Sequence, residues 1–396
     1  MGDTQKHTKP NVPNLRFPGF SGEWESCELG EIAELSKGAG ISKDQRSSDG
    51  NPCILYGELY TTYLTEIIDE VVSKTNLDPT GLVKSKANDI IIPASGETAI
   101  DISTARCVLH DDVLLGGDLN IIRLNEQDGK FFSYQLNGVR KKDIARIAHG
   151  VSIVHLHGNA LSHIVVNYPS RREQEKISSL LSLIDQRIAI QNKVIEDLKK
   201  LKTAICEITY KQSRHNQRLG DFIQQVSKRN KSGEHLPVMS VSNRFGFIQQ
   251  SEQFESRAVA SEDTSHYKIV SYNVFAYNPA RINVGSIARF KHRSQGIVSP
   301  MYVCFRTNND VLPEYLEHFF DTQHFTLEMD KRLEGSVRMC LSFEGLCNVP
   351  ICVPSIEEQT HIAKLMNNIS SMIEIEDSIL QKNNLIKRHL LAELLI

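Results

Sequence analysis

The pattern of apolar and polar positions between residues 169 and 211 predicts one long helix. After Pro169 no proline or glycine occurs before Gly220, so nothing in the stretch interrupts a helix. Ser170 precedes Glu173 by three residues, the spacing of a capping box at a helix start. About forty residues rising about 1.5 Å each predict a rod of roughly 60 Å.

Apolar residues in this stretch recur at alternating steps of four and three residues, the spacing of a coiled-coil seam. The seam positions are Ile177, Leu181, Ile184, Ile188, Ile195, Leu198 and Ile205. We expect Leu180, Val194, Leu201 and Ile208 to widen this stripe. A helix so long, with so narrow an apolar stripe, needs a partner helix for stability.

The partner is predicted within the same chain, because the pattern recurs 185 residues later. Pro169 and Ser170 become Pro354 and Ser355. Even the polar interruptions of the seam repeat, with Lys202 matched by Lys387, which indicates a device that fixes helix register. The second set of apolar seam positions is Ile362, Met366, Ile369, Ile373, Leu380 and Leu390.

The stretches preceding each helix also repeat. Matched groups are Leu29-Gly30-Glu31 with Leu219-Gly220-Asp221, Ala105-Arg106 with Ala288-Arg289, and Gly150, Leu156 and Leu161 with Gly335, Leu341 and Leu346. Short β-type runs bounded by Gly, Pro and Asp, with helical pieces between them, predict mixed α/β (α+β) domains. The predicted organisation is a tail (1–23), a first domain (24–168), a central helix (169–212), a second domain (213–353) and a C-terminal helix (354–396).

Connectivity then predicts the geometry of the helices. The second domain begins a few residues after the first helix and leads directly into the second helix. If its entry and exit lie close together, as is usual for domains, the two helices run antiparallel. The domains are then expected at opposite ends of the helix pair, related by a pseudo-two-fold axis.

Composition narrows the functional classes. The sequence contains no apolar run long enough to span a membrane, and residues 1–14 lack the apolar core of a secretory signal. Eight cysteines without a Cys-x-x-Cys pair suit reduced thiols in a cytosol. Residues 24–165 carry 13 Lys and Arg against 20 Asp and Glu, without the basic excess of a strong non-specific DNA binder.

Catalytic signatures are absent from the sequence. No phosphate-binding G-x-x-x-x-G-K-[ST] motif occurs. Asn278-Pro279-Ala280-Arg281 lacks the second proline and the aromatic ring of the adenine methyltransferase box. His155 and His157 share one face of a predicted strand but lack companions for a metal site. We therefore expect no catalytic residues and no metal site on this chain.

Several motifs carry a resemblance to a known family. They are LRFPGFSGEW from Leu15, the helix starts PSRREQEKI and PSIEEQTHI, SGET from Ser95, and PARINVGSIA from Pro279. With these motifs the chain resembles the DNA specificity subunit of a type I restriction–modification system, a bacterial defence. The helix-start motif, present at both expected places, is the most specific of these features.

The resemblance implies a function for each part of the chain. Each globular segment would be a target recognition domain reading one half of a bipartite, asymmetric site in double-stranded DNA. The helix pair would set the spacer and dock methyltransferase subunits, and restriction (motor–nuclease) subunits would join the assembly. S-adenosylmethionine and ATP with magnesium would belong to those partners, with no cofactor on this chain. The expected location is the cytoplasm.

Candidate DNA contacts are polar and basic residues that leave the strand pattern, because Arg, Lys and Asn can read base edges and Ser and Thr can reach bases or phosphates. In the first domain these are Lys37, Lys43, Arg46, Ser95, Thr98 and Ser152. In the second domain they are Arg229, Lys231, Asn243, Arg244, Arg281, Asn283 and Arg338.

Two other classes of function fit parts of the sequence. A coiled-coil scaffold or adaptor that binds only proteins would share the helices but would not need two diverged, loop-rich domains. A self-contained nuclease or methyltransferase would require the catalytic motifs that are missing. A DNA footprint by the chain with its partners distinguishes the first alternative, and activity of the isolated chain would support the second.

Overall fold

The computed structural model describes residues 11–150, 152–210, 217–243, 245–250, 264–336 and 338–396. The chain divides into two compact units. The first unit comprises Met1–Asn192 with Ser378–Ile396, and the second comprises Lys193–Asp377. Each unit therefore contains one globular domain and one segment from each of two long helices.

The two long helices form as predicted and span Arg171–Tyr210 and Ile356–Leu394. The second helix starts with a reciprocal capping box: the Glu358 amide donates to Ser355 Oγ at 3.3 Å, and the Ser355 amide donates to Glu358 Oε2 at 3.1 Å. The capping box predicted at Ser170 is wrong. Its acidic partner, Glu173, is bound instead by the Arg16 guanidinium at 2.7 Å.

A buried glutamine explains why both helix starts carry the same motif. Gln174 Nε2 donates to the Pro169 carbonyl at 2.8 Å, and its Oε1 accepts from the Asp128 amide at 2.9 Å. Its counterpart Gln359 makes the same pair of bonds, at 2.9 Å and 2.8 Å. Both glutamines are fully buried, so each satisfies backbone groups that would otherwise be buried without partners. The amide thereby fastens each long helix to its domain.

The first domain is built on a five-stranded and a four-stranded sheet. In spatial order the five strands are Ala33–Lys37, Leu119–Leu124, Ile90–Pro93, Arg106–Val108 and Ile67–Ile68. The four are Leu114–Leu115, Asn51–Ile54, Ser73–Thr75 and Arg46–Ser47. Two further pairs are Glu25–Glu28 with Val165–Tyr168, and Ser95–Gly96 with Val154–His155. The helices are Leu29–Ile32, Lys43–Gln45 (3-10), Glu58–Thr61, Ala99–Ile102, Gly129–Asn137, Lys141–Arg146 and Gly158–Ser162.

The second domain repeats this plan with two four-stranded sheets. The first has the order Ile223–Val226, Val303–Thr307, Phe275–Tyr277 and Ile287–Arg289. The second has the order Gly246–Gln249, Val238–Ser242, Gly296–Val298 and Lys268–Val270. Gln217–Arg218 pairs with Pro350–Ile351. The described helices are Leu219–Asp221 (3-10), Ile282–Val284 (3-10), Pro313–Phe319, Gln323–Asp330 and Phe343–Cys347.

The strand register confirms the internal repeat and corrects one detail of it. Ile90 in the first domain and Phe275 in the second lie 185 residues apart and occupy equivalent strands. Cys107 is the strand partner of Ile90, whereas Arg289 is the partner of Phe275. Arg289 is therefore equivalent to Cys107, and the sequence match of Arg106 with Arg289 is one residue out.

A repeated glycine lies where two short helices contact each other in each domain. An added Cβ on Gly30 would lie 2.9 Å from the Ser162 Cβ, and one on Gly220 would lie 2.8 Å from the Cys347 Cβ. Any side chain at these two positions would push the neighbouring helix away. Close packing against this helix therefore requires glycine at the same position in both domains, which explains the matched Leu-Gly-acid tripeptides.

Within the first unit the two helix segments run antiparallel. Ile177 and Leu181 share a buried core with Leu394 and Leu395. Four residues further along the first helix from Leu181, Asp185 accepts from Lys387 on the second helix at 2.6 Å. Residue numbers therefore increase along the first helix as those of the contacting residues on the second helix decrease, as expected for antiparallel helices.

The second unit combines its own helix segments with its own core. Cys206 and Tyr210 from the first helix share a buried cluster with Met366 from the second helix. The Tyr210 hydroxyl donates to the Tyr315 carbonyl at 2.7 Å, which joins the helix to the domain. The predicted architecture of α/β domains with two long antiparallel helices is confirmed.

Every proposed seam residue is buried or half-buried in the helices. The expected widening of the stripe is wrong for three of its four members, because Val194, Leu201 and Ile208 are exposed. Leu180 alone is half-buried and packs against the first core. The seam is therefore narrow, and the other three side chains belong to a separate face of the helix.

The helices and the cysteines bear on two expectations from composition. Among the described residues, no helix is both long and apolar enough to span a bilayer. All eight cysteines are free thiols. Burial raises the pKa of Cys107 to about 12 and that of Cys53 to about 11, so these thiols are poor nucleophiles at neutral pH.

Candidate nucleic-acid interface

Polar side chains gather at one end of the five-stranded sheet in the first domain. Lys37 ends its strand opposite Asn120, and Asn120 faces Ile92 on its other side. Since neighbouring strands lie about 4.8 Å apart, the Lys37 backbone is roughly 10 Å from that of Ile92. The chain then continues from Ile92 to Ser95, which brings Lys37 and Ser95 to the same end of the sheet.

The strand pair next to this sheet end brings Ser152 close to two other candidates. Ser95 lies opposite His155, three residues after Ser152. Thr98 caps a short helix, accepting from the Asp101 amide at 3.1 Å. Thr98 and Ser152 are exposed, whereas the Ser95 residue is 7% exposed and presents little of its hydroxyl to solvent. Thr98 and Ser152 are therefore the two accessible hydroxyls of this group.

Lys43 and Arg46 form a second exposed group in the first domain. The Arg46 guanidinium donates to Glu58 at 3.4 Å and to the Lys43 carbonyl at 3.3 Å. Glu58 is itself buried and accepts from the Leu55 amide at 2.9 Å and from the Ser73 hydroxyl. A fixed carboxylate thus limits the directions available to the Arg46 side chain.

The second domain gathers its candidates around the loop that follows Phe275–Tyr277. An added Cβ on Gly285 would lie 3.3 Å from the Asn243 Cβ, so the Asn243 hairpin tip touches this loop. Arg281 and Asn283 lie on the same loop, and all three polar side chains are exposed. The Leu341 amide donates to the Pro279 carbonyl at 3.0 Å, and Arg338 lies three residues before Leu341. Asn243, Arg281, Asn283 and Arg338 therefore lie on adjoining segments of the second domain.

The structure places Arg229 and Lys231 apart from that group, at a cavity of about 730 Å³. Asn230 between them is fully buried, and its amide group exchanges two hydrogen bonds with the Glu234 backbone at 2.9 Å and 3.2 Å. Its neighbours Arg229 and Lys231 are both exposed. The cavity is lined by Ser227, Lys228, Arg229, Lys231, Ser232, Glu234, Ile269 and Gln295. Three cations against one carboxylate make it an anion-attracting surface.

One remaining DNA-contact candidate and the two histidines complete the set of predicted positions. Arg244 lies outside the described residues. His155 and His157 are both exposed, and no cluster of three metal-ligating side chains occurs in the described part of the chain.

Sequence reasoning missed three residues of this surface. Lys228 lines the same cavity as Arg229, and the run of basic residues in which it stands could have identified it. Ile153 and Phe245 are 58% and 67% exposed at the two groups of polar loops. Nothing in the sequence distinguishes these apolar side chains from core residues.

Comparison with known proteins relates the chain to one family. Residues 21–200 match the family model described as type I restriction modification DNA specificity domain. This part of the chain is similar to that family. The resemblance inferred from the helix-start motifs is thereby confirmed, and the specificity domain includes Lys37, Ser95 and the start of the first long helix.

Relatives extend the likeness beyond the specificity domain. A putative type I restriction enzyme MjaX specificity subunit from Methanocaldococcus jannaschii is 21% identical, over 94% of this chain and 92% of the relative. The S subunit of a type I restriction–modification system from M. genitalium has a TM-score of 0.64 at 16% identity, covering 97% of this chain and 99% of the other. A chain from a study of type I R-M complex assembly has a TM-score of 0.51 at 14% identity, covering 96% and 98%.

Proposed function

We propose that this chain is the non-catalytic DNA specificity subunit of a type I restriction–modification complex. The observation that carries the proposal is a repeated scaffold with unlike exposed side chains. The order of four strands in the larger sheet, the buried glutamines and the close-packed glycines are shared by the two domains, whereas their exposed polar residues differ. Each domain then reads one half of a bipartite site, and the difference between the domains makes the site asymmetric.

The exposed residues that gather in each domain are the proposed contacts. In the first domain these are Lys37, Lys43, Arg46, Thr98 and Ser152, with Ser95 in a supporting position because it is covered. In the second domain they are Asn243, Arg281, Asn283 and Arg338 at the loops, and Arg229 and Lys231 at the basic cavity. The loop residues of the second domain can donate hydrogen bonds to base edges, and the basic cavity can bind phosphates.

The long helices are proposed to set the spacer between half-sites and to dock methyltransferase subunits. Exposed apolar side chains on the first helix fall within about 20° of one line at 100° per residue. They are Leu183, Ile190, Val194, Leu201 and Ile208. The second helix exposes Leu365, Met372, Ile375 and Ile386 on one face. Repeated apolar surface of this kind marks a protein interface.

The remaining parts of the proposal concern partners. S-adenosylmethionine would be held by the methyltransferase subunits, and ATP with magnesium by the restriction subunits. The complex would act on double-stranded DNA in the cytoplasm. A scaffold that binds only proteins would use the same helix faces, but it gives no reason for a basic cavity in the second domain.

Exchange of the first domain tests the proposal. Residues 24–165 are replaced by the corresponding segment of a specificity subunit that recognises a different sequence, and methylated adenines are mapped in cells carrying the methyltransferase subunits. We expect one half of the methylated sequence to change while the other half stays the same. Retention of both original halves by an active hybrid would show that the first domain does not read DNA.

The basic cavity makes a separate prediction about salt. Replacing Lys228, Arg229 and Lys231 by alanine should weaken DNA binding by the assembled complex for all sequences alike. Each lost phosphate contact should reduce the slope of log affinity against log salt by about 1. Fluorescence anisotropy at several salt concentrations measures the slope. An unchanged slope, or a loss confined to the cognate sequence, would contradict the assignment of phosphate contacts.

A further inference from the structure

Two short loops in different domains are closed by the same pair of backbone hydrogen bonds. In residues 149–155, the His149 amide donates to the His155 carbonyl at 2.9 Å, and the His155 amide donates back at 2.7 Å. In residues 334–340, Glu334 and Cys340 exchange the same two bonds at 2.9 Å and 2.8 Å. We call residues 149–155 and 334–340 the matched loops.

A glycine fixes the shape of each matched loop. Gly150 has a φ of 134° and Gly335 a φ of 131°. An added Cβ would lie 2.0 Å from the Ile153 carbonyl oxygen in the first loop and 2.3 Å from the Arg338 carbonyl oxygen in the second. No other residue fits this combination of dihedral angle and contact. The two matched loops therefore share a turn that requires glycine at the same position.

A buried leucine then fastens each loop to the surface described above. Leu156 and Leu341 are 1% and 0% exposed. The Leu156 amide donates to the Ala94 carbonyl at 2.8 Å, just before the candidate contacts at residues 95–98. The Leu341 amide donates to the Pro279 carbonyl at 3.0 Å, just before those at residues 281–283. Both loops thus stand at the equivalent place in their domains.

The side chains that the matched loops present are unlike each other. Ile153 and Arg338 are 185 residues apart, and each one's carbonyl oxygen faces the loop glycine. Both are exposed. Arg338 makes no side-chain hydrogen bond or ion pair with any residue that the structure describes. An exposed isoleucine adds little to stability, so neither side chain is explained by the fold.

We propose that the matched loops read bases directly, with Ile153 and Arg338 as the side chains that distinguish the two half-sites. This inference rests on the proposed function. An aliphatic side chain has no affinity for phosphate, but it can pack against the methyl group of thymine. An arginine at the same loop position can donate two hydrogen bonds to the edge of guanine. Matched loops with unlike side chains give each domain its own base preference.

Two single substitutions test this inference in the complete complex with methyltransferase subunits. Methylated sites are read by sequencing, and initial methylation rates are measured on DNA with each base varied in turn. Arg338→Ala should lower discrimination roughly tenfold to a hundredfold at one base pair of one half-site. Ile153→Arg should change the preferred base at one position of the other half-site. The untouched half-site serves as an internal control in each experiment.

Matched controls separate base reading from general damage. Leu64→Arg changes another exposed apolar residue of the first domain, 82% exposed, and should leave both half-sites unchanged. Gly150→Ala should weaken selection of the first half-site. Gly81 also has a positive φ, of 82°, but no atom lies within 4 Å of an added Cβ there. Gly81→Ala should therefore leave selection of the first half-site intact.

Two outcomes overturn different claims. If Arg338→Ala and Ile153→Arg both leave the methylated sequence unchanged, the matched loops do not read bases, and the proposed function is unaffected. If the unmodified complex methylates DNA without sequence preference in either half, the proposed function fails, and this inference fails with it.

Discussion

Replacing Lys387 with methionine is expected to destabilise the first unit by about 3–5 kcal/mol, the usual loss when one partner of a buried ion pair is removed. Lys387 Nζ lies 2.8 Å from Glu66 Oε2 and 2.6 Å from Asp185 Oδ1. Tyr134 donates a further hydrogen bond to Asp185 at 2.7 Å. Without the ammonium group, two buried carboxylates would face each other uncompensated.

The loss should depend on pH in a defined direction. Burial, and then the nearby Glu66 charge, raises the pKa of Asp185, and Lys387 is one of the groups that lowers it. A carboxyl with a raised folded-state pKa contributes stability that is complete below its unfolded pKa of about 3.9 and lost as pH rises through the folded value. Removing Lys387 raises that pKa further. The variant should therefore recover stability relative to the parent chain as pH falls from neutral towards the unfolded pKa of about 3.9.

The charge of Lys387 determines how the stability of the parent chain changes at alkaline pH. Burial would lower the pKa of this lysine, but Glu66 and Asp185 outweigh burial and raise it. Its contribution is complete below the unfolded value of about 10.4 and is lost as pH rises through the higher folded pKa. The parent chain should thus keep this stabilisation through neutral pH.

Hydrogen exchange of residues 129–137, read by mass spectrometry, measures the stability of the first unit directly. Lys382→Met is the matched control, because Lys382 is exposed on the same helix. We expect the control to change stability by no more than about 0.5 kcal/mol. Equal exchange rates in both variants would show that the buried pair contributes nothing.

The second large effect is expected at the exposed apolar face of the helices. Changing Ile190 and Leu201 to aspartate should abolish copurification of methyltransferase subunits, with affinity reduced roughly thirtyfold or more. Both side chains are exposed, at 65% and 49%, so the fold should tolerate the change. Sedimentation of the mixed subunits and circular dichroism of the isolated variant check these two statements separately.

Ala189→Asp is the control for this experiment. Ala189 is exposed on the same helix but lies about 120° around the axis from the apolar face. The same charge introduced there should leave assembly unchanged. If Ile375 and Ile386 on the second helix are also changed and assembly still occurs, the docking site lies elsewhere.

The periodicity of the sequence was enough to predict the helices, because a narrow apolar seam and its repeat depend only on local spacing. The capping box at Ser170 failed because Arg16, more than 150 residues earlier, takes its glutamate. The expected widening by Val194, Leu201 and Ile208 failed for a related reason. Periodicity shows that residues share a helix face, but it does not show whether another part of the protein covers that face.

The candidate interface was less predictable than the helices. Lys37, Thr98 and Arg338 could be selected as polar loop residues, but their neighbours depend on strand order and on bonds such as the one from Leu341 to Pro279. Exposure of Ile153 depends on a turn that only the Gly150 dihedral angle reveals. The resemblance to specificity subunits was evident from motifs, whereas the grouping of the candidate contact residues required the fold.

The make-up of the first unit has a consequence for how the protein is made. Its buried core includes Leu394 and Leu395, which are translated after the whole second domain. Domains usually fold in the order in which they are synthesised. Here the core of the domain translated first cannot close until the second long helix has been made. A nonsense codon in the part of the gene that encodes that helix would therefore damage the first domain.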